Sequence, residues 1–168
     1  MNARSWISVL VAGLLVGEVI GAARAAEKLQ TVQFALSQSC RCVPCVAKAR
    51  KQVQKMPGVR QVQIDVRRRL MVVRFDEAQL SLRTLQEQVH GCDLGKKAQI
   101  ALSAAKPDLA RLAEAAAALP EVAAATPDAK RRLVLLQLAD GEPKAATLFS
   151  KLRAAGVAFS VDGRKRKS

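Results

Sequence analysis

The chain is poor in the residues on which nucleic-acid binding and most catalysis depend. It contains no tyrosine, one tryptophan and four phenylalanines in 168 residues, and proteins that bind single strands stack bases on aromatic side chains, so a nucleic-acid partner is disfavoured. Acidic residues are also scarce, since 14 of them face 28 lysines and arginines, and the formal charge of +14 favours anionic partners. No catalytic carboxylate pair, nucleophile–base arrangement or phosphate-binding glycine loop stands out, so we expect a protein without enzymatic activity.

Long apolar runs are lacking too. The longest lies near the start, where Arg4 precedes a mostly apolar stretch at 7–16 and a small-x-small sequence at 23–25. Glu18 interrupts this segment, which is far shorter than the roughly 18–20 apolar residues of a membrane span. The pattern predicts a signal peptide at residues 1–25 and export, with the bacterial periplasm as the compartment. An uncleaved membrane anchor is the disfavoured alternative.

Three of the four cysteines fall close together, in the sequence SCRCVPC. Cys42 and Cys45 are spaced i, i+3 between a predicted strand and the start of a predicted helix, where the helix dipole favours a thiolate. Two thiolates suit a soft ion such as Cu(I) or Hg(II), whereas Zn(II) prefers four ligands and no second CxxC is present. Thiol–disulfide exchange through the same pair, or purely structural disulfides, are the alternatives.

The hydrophobic pattern predicts an α+β fold. Residues 29–37 alternate like a strand, and a helix with its apolar face at Val46, Ala49 and Val53 is stopped by Pro57-Gly58. Further along the chain, the pattern predicts strands at 62–66 and 70–75, a turn at Arg67, Arg68 and Arg69, and a helix that is capped by Ser81, packs through Leu82, Leu85 and Val89, and ends at Gly91. With one more strand, the order becomes the βαββαβ of a ferredoxin-like sandwich.

The second part of the chain resembles the first. The segment MPGVRQVQIDVRRRLMVVRF at 56–75 aligns without a gap with LPEVAAATPDAKRRLVLLQL at 119–138, which predicts an internal duplication. We therefore expect two tandem ferredoxin-like copies, the second a degenerate one at 98–163 without cysteines, followed by a basic tail at 164–168. Between Gly91 and Ser103 there is little room for two strands, so a single strand that serves both copies is the competing arrangement.

The first copy resembles the heavy-metal-associated domain, the module of copper chaperones, copper-pump N-termini and periplasmic mercuric-ion carriers. Cys42 and Cys45 match its two ligand cysteines, and Gly58-Val59 matches its GV at the spacing from Cys45 that is usual in the family. The Gly-Met that usually precedes the cysteines is missing, and Cys40-Arg41 stands there instead. The resemblance implies a domain at 28–97 that carries a soft metal ion and passes it to a metal-transporting membrane protein or another metal-accepting protein.

In a βαββαβ order the first, third and fifth loops lie at one end of the domain. Cys92, in the predicted fifth loop, is therefore a candidate third ligand, a disulfide partner of Cys40, or a small residue without chemistry. His90 is interpreted as a solvated residue at a helix end. Arg67, Arg68 and Arg69 are interpreted as a solvated turn, which their repetition at 130–132 favours. The functional alternatives are a docking patch for an acidic partner or charge compensation for a bis-thiolate site. The basic tail offers contact with anionic surfaces.

Overall fold

The computed structural model describes residues 28–36, 43–92 and 98–161. Within these ranges the chain forms strands and helices in the order βαββαβαββα. The strands are β1 (Leu29–Ala35), β2 (Val59–Asp65), β3 (Leu70–Asp76), β4 (Gln99–Ser103), β5 (Val122–Asp128) and β6 (Leu133–Leu138). The helices are α1 (Val43–Gln54), α2 (Leu82–Cys92), α3 (Leu109–Ala117) and α4 (Ala145–Ala154), and a 3-10 turn at Lys106–Asp108 precedes α3.

All the strands belong to one antiparallel sheet with the order β2-β3-β1-β4-β6-β5. The run β2-β3-β1-β4, crossed over by α1 and α2, has the strand order of a ferredoxin-like sandwich, so the predicted α+β ferredoxin-like class is confirmed. Strand β4 pairs with β1 through Ile100 and Gln99, and with β6 along its other edge. It therefore closes the first half of the molecule (β1 to α2) and opens the second half (α3 to α4), which is the shared-strand arrangement.

The first half follows its sequence pattern closely. Ala49 and Val53 of α1 are buried, as are Leu82, Leu85 and Val89 of α2. The Ser81 Oγ accepts the Thr84 N–H at 3.1 Å and so caps α2 as predicted.

Several predicted boundaries are wrong; β2, for example, begins at Val59 rather than at position 62. Val66 belongs to the turn after β2 and is 65% exposed, because the hairpin closes one residue earlier than the alternation suggested. At the end of α2, the helix continues through Gly91, so Cys92 is its last residue rather than a loop residue. Propensity alone rarely places helix ends to the residue.

The helices cover one face of the sheet. The main core lies between them and the inward side chains of the strands, including Phe34, Phe75, Ile100 and Leu136, all fully buried. A small second cluster lies on the opposite face and consists of Ala35, Leu70, Ala101 and Leu133, with Leu135 packed against it. This cluster crosses from β3 to β6, so the two halves are packed together on both faces of the sheet.

The two halves share irregular features as well as regular ones. A register shift occurs between Val59 and Gln61 in the first half, and another occurs at the aligned positions Val122 and Ala124 in the second. Contacts between the halves are reciprocal: Arg83 binds the Ala139 carbonyl and Asp140, while the Ala146 N–H donates to Glu77. When the same alignment is extended, position 77 corresponds to 140 and position 83 corresponds to 146. The two contacts are therefore equivalent, and the halves meet as the subunits of a two-fold dimer do.

Candidate metal-binding end and the paired turns

The predicted ligands lie at the edge of what the structure describes. Cys40 and Cys42 fall outside the described residues, and Cys45 and Cys92 are described only as helical backbone positions. His90 likewise has a described backbone, in the last turn of α2. The placement of these five side chains therefore stays a prediction.

The backbone position of Cys45 suits a thiolate. It is the third residue of α1, whose first-turn N–H groups have no partner within the helix. Pro44, just before it, is tolerated there because a first-turn N–H would have no helical acceptor. Ala49 and Val53, buried against the sheet, fix the direction of α1. The helix thus presents its positive end to the residue at position 45.

The end of β1, which leads into the cysteine segment (residues 37–45), lies beside β3, β4 and the turn between β2 and β3. Ala35, the last residue of β1, pairs with Leu70 on one side and with Gln99 on the other. The N–H of Leu36 donates to the carbonyl of Arg69 at 2.9 Å. The turn between β2 and β3 therefore borders the point at which the chain enters residues 37–42.

We call residues 66–69 the first turn and residues 129–132 the second turn; together they are the paired turns. They have the same geometry. At each turn an aspartate side-chain oxygen accepts a hydrogen bond from the backbone N–H three residues later. The N–H of Arg68 donates to Asp65 at 2.9 Å, and the N–H of Arg131 donates to Asp128 at 3.0 Å. The last residue of each turn is left-handed, with φ of 53° at Arg69 and 55° at Arg132.

The paired turns touch each other, which the sequence did not predict. The Nη2 of Arg131 donates to the carbonyls of Arg68 and Arg69 at 2.8 and 3.0 Å, and the Nη2 of Arg68 donates to the Oγ of Ser103 at 3.2 Å. Arg131 is only partly exposed, so the interpretation of this residue as simply solvated is wrong. Its alignment with Arg68 was visible in the sequence, but the contact between the two turns depends on how the halves pack.

The paired turns concentrate positive charge. Six of their eight residues are lysine or arginine, and aspartates flank them only at positions 65 and 128. Burial lowers the pKa of Arg131 below its usual value; Asp128 opposes this effect, and the nearby Arg69 and Arg68 add to it. A guanidinium nonetheless stays charged in proteins. The result is a group of like charges held together by hydrogen bonds to carbonyls.

A second basic feature runs along α1. An open groove of about 380 Å³ is lined by Pro44, Ala47, Lys48, Lys51, Gln52 and Lys55. It lies on the solvent side of the helix, so positive potential extends from the start of α1 toward its end.

Within the described part of the chain, no three His, Cys, Asp or Glu side chains are grouped so that they could hold a metal ion. Over the same residues, none of the helices combines the length and apolar character that a bilayer crossing requires.

Comparison with known proteins finds a family match that covers most of the first half. The model of the heavy-metal-associated domain family matches residues 40–97, a span that contains all four cysteines. None of the curated proteins matches the chain.

Several solved structures are similar over part or most of the chain. The water-soluble region of the P-type ATPase CopA from Bacillus subtilis is 15% identical and has a TM-score of 0.41, with 84% of this chain and 96% of that chain covered. Oxidized MerP from Ralstonia metallidurans CH34 is 28% identical and has a TM-score of 0.38, with 43% of this chain and 96% of that chain covered. The N-terminal extension of CzcP from Cupriavidus metallidurans is 17% identical, with 75% of this chain and 96% of that chain covered and a TM-score of 0.33.

Proposed function

We propose that the protein binds one soft metal ion, Cu(I) or Hg(II), through Cys42 and Cys45, because residues 40–97 match the heavy-metal-associated domain, a family of metal-binding modules. The observation that carries the proposal is the coincidence of the family match with the CxxC pair at the start of α1. The positive end of α1 and the nearby basic residues lower the energy of the thiolate form, which is the form that binds metal.

The proposed activity is transfer rather than storage or catalysis. An ion held by two thiolates is under-coordinated, so an incoming thiolate from a partner can attack it before either protein ligand leaves. The partner is a metal-transporting membrane protein or another metal-accepting protein, and Arg67, Arg68 and Arg69 beside the cysteine segment form a docking patch for it. Cys92 and Cys40 complete this end either as additional ligands or as a disulfide.

The proposed site of action is outside the cytoplasm. Residues 1–25 have the charge, apolar stretch and small-x-small sequence of an export signal, and the mature chain then works in the periplasm. The basic tail at 164–168 adds attraction to anionic surfaces.

The test is native mass spectrometry of the mature protein, reduced without air and titrated with Cu(I) and then Hg(II). We expect one ion per chain, lost in Cys42→Ser and in Cys45→Ser. Cys92→Ser tests whether Cys92 is a third ligand. Unchanged metal affinity would exclude Cys92 as a ligand, and weakened affinity would identify it as one. If the Cys42→Ser/Cys45→Ser protein bound Cu(I) as tightly as the wild type, the assigned site would be wrong. If the reduced wild type bound no ion, thiol–disulfide exchange would become the better hypothesis.

A further inference from the structure

We propose that the paired turns form one docking surface for an acidic segment of the metal-accepting protein, and that the cysteine-less half supplies half of its cations. The inference rests on the proposed function and gives the second half of the molecule a role in it. The positions that act in this way are 67 and 69 in the first turn and their aligned equivalents, Lys130 and Arg132, in the second.

The two turns are physically one surface. Arg131 bridges to two carbonyls of the first turn, at 2.8 and 3.0 Å, so the turns are held side by side. Arg68 is held against Ser103 of the shared strand. Arg67, Lys130 and Arg132 are exposed around this pair. The partly buried hydrogen bonds of Arg131 and Arg68 therefore set the spacing of the exposed cations.

This surface carries an excess of positive charge, because the two turns hold six cations and the aspartates that flank them in the sequence are Asp65 and Asp128. Asp65 and Asp128 each accept a backbone N–H within their own turn, which commits one oxygen of each to the turn. Six cations in the two turns repel one another. Carboxylates of a partner relieve this repulsion, and arginine forks bind carboxylates with two parallel hydrogen bonds.

The surface adjoins the cysteine segment. The Arg69 carbonyl accepts the N–H of Leu36, the residue that immediately precedes 37–42. A protein that attacks an ion held at this end must come close to the first turn, and through Arg131 to the second. The charge of the cysteine-less half is thus placed where it assists an encounter, even though that half has no ligands of its own.

An acidic protein segment fits the surface better than a nucleic acid or a bilayer. The four phenylalanines, at positions 34, 75, 149 and 159, are at most 9% exposed, so the described residues offer no aromatic platform for bases. The exposed large apolar side chain among them is Val66, and a single valine buries far too little area to anchor a protein in lipid.

The experiment measures binding of a fluorescent hexaglutamate peptide to the mature protein loaded with Cu(I), at low and at physiological salt. Two double variants remove equivalent charges: Arg67→Ser/Arg69→Asn in the first turn and Lys130→Ser/Arg132→Asn in the second. Asparagine is used at 69 and 132 because it tolerates the left-handed backbone there. The matched control, Lys55→Ser/Lys144→Ser, removes two exposed cations outside the paired turns, one just after α1 and one just before α4.

We expect each turn variant to weaken peptide binding by about three- to tenfold at low salt, and the control by less than about twofold. The loss shrinks at physiological salt because exposed charges are screened. The inference is overturned if the second-turn variant behaves like the control, or if the wild type does not bind the peptide. It is also overturned if a single-stranded oligonucleotide or anionic vesicles of equal charge bind more tightly than the peptide and lose binding in the same variants.

Native mass spectrometry of the same variants separates this inference from the proposed function. Retention of one ion by the second-turn variant, together with weakened peptide binding, supports both. Ion binding with a second-turn effect no larger than the control contradicts the docking inference alone. A wild type that binds no ion contradicts the proposed function, whatever the peptide does.

Discussion

Gly58 shows how one residue combines two constraints. Its φ is +86°, and a Cβ added to it would lie 3.0 Å from the Cβ of Gln79 and 3.1 Å from that of Leu80. Gly156 has a similar φ of +73° but no atom within 4 Å of such a Cβ. The two glycines therefore separate backbone strain from steric crowding.

We expect Gly156→Ala to lower the free energy of unfolding by about 1 kcal/mol, which is the cost of a left-handed alanine. Gly58→Ala should lower it by about 2–4 kcal/mol, because crowding against the loop after β3 is added to the same strain. Urea unfolding of both variants measures the difference. Equal losses would show that the loop at 79–80 moves aside without cost.

For single residues, the sequence predicted the local role of a residue but not its tertiary contacts. Pro57-Gly58 predicted the end of α1 from local chemistry, whereas the strand predicted at 62–66 missed the start of β2 at Val59. That Gly58 lies against Gln79 and Leu80 depends on the return of the chain after β3, which no local pattern encodes. The same holds for Cys42 and Cys45: their spacing and helix-start position are local, and the geometry of their side chains is not.

Among the elements, the β-hairpins are the most nearly duplicated. In each hairpin the first strand begins with a register shift, and an aspartate at its end accepts a hydrogen bond from the turn that follows. Asp108 offers a contrast, because it precedes α3 at the cap position but makes no capping hydrogen bond with its side chain.

We expect Asp65→Ala and Asp128→Ala each to cost about 1 kcal/mol in stability, since each leaves the N–H three residues later without its acceptor. Asp108→Ala should change stability by less than about 0.5 kcal/mol. Thermal and urea unfolding of the three variants provide the comparison. A loss at Asp108 as large as at the turns would contradict the assignment of the effect to the turn hydrogen bond.

The elements were largely predictable because hydrophobic period and capping act over a few residues. Leu82, Leu85 and Val89 all turned toward the core, as their spacing indicated. The errors fell at the start of β2, at Val66 and at the Gly91–Cys92 end of α2, where the competition between turn and regular structure is settled by packing. The hydrogen bonds between Arg131 and the first turn could not be predicted from the sequence, since they join hairpins that lie far apart along the chain.

For the whole molecule, the shared strand makes the halves mutually dependent. Ile100 and Leu102 of β4 are fully buried in the core that all the helices cover. Unfolding one half would expose an edge of β4 and its apolar side chains to water. The two halves therefore form one cooperative unit rather than two independent ones.

We expect Leu136→Ala, a cavity in β6 of the cysteine-less half, to cost about 2–5 kcal/mol and to lower hydrogen-exchange protection in β3 as much as in β6. Val66→Ala, at an exposed turn position, is the control and should change stability by less than about 0.5 kcal/mol. Two separate unfolding transitions, or full protection of β3 in Leu136→Ala, would show that the halves fold independently.

The sequence by itself determined the α+β class, the ferredoxin-like order of the first half, and the resemblance of that half to a heavy-metal-associated domain. Periodicity, caps and the spacing of Cys42, Cys45 and Gly58 are local properties, so one sequence suffices to find them. Only the tertiary structure showed that β4 pairs with both halves, because the local pattern in QIALS does not reveal which strands lie beside it. It also decided that the two basic turns meet, because their contact depends on the single sheet that β4 holds together.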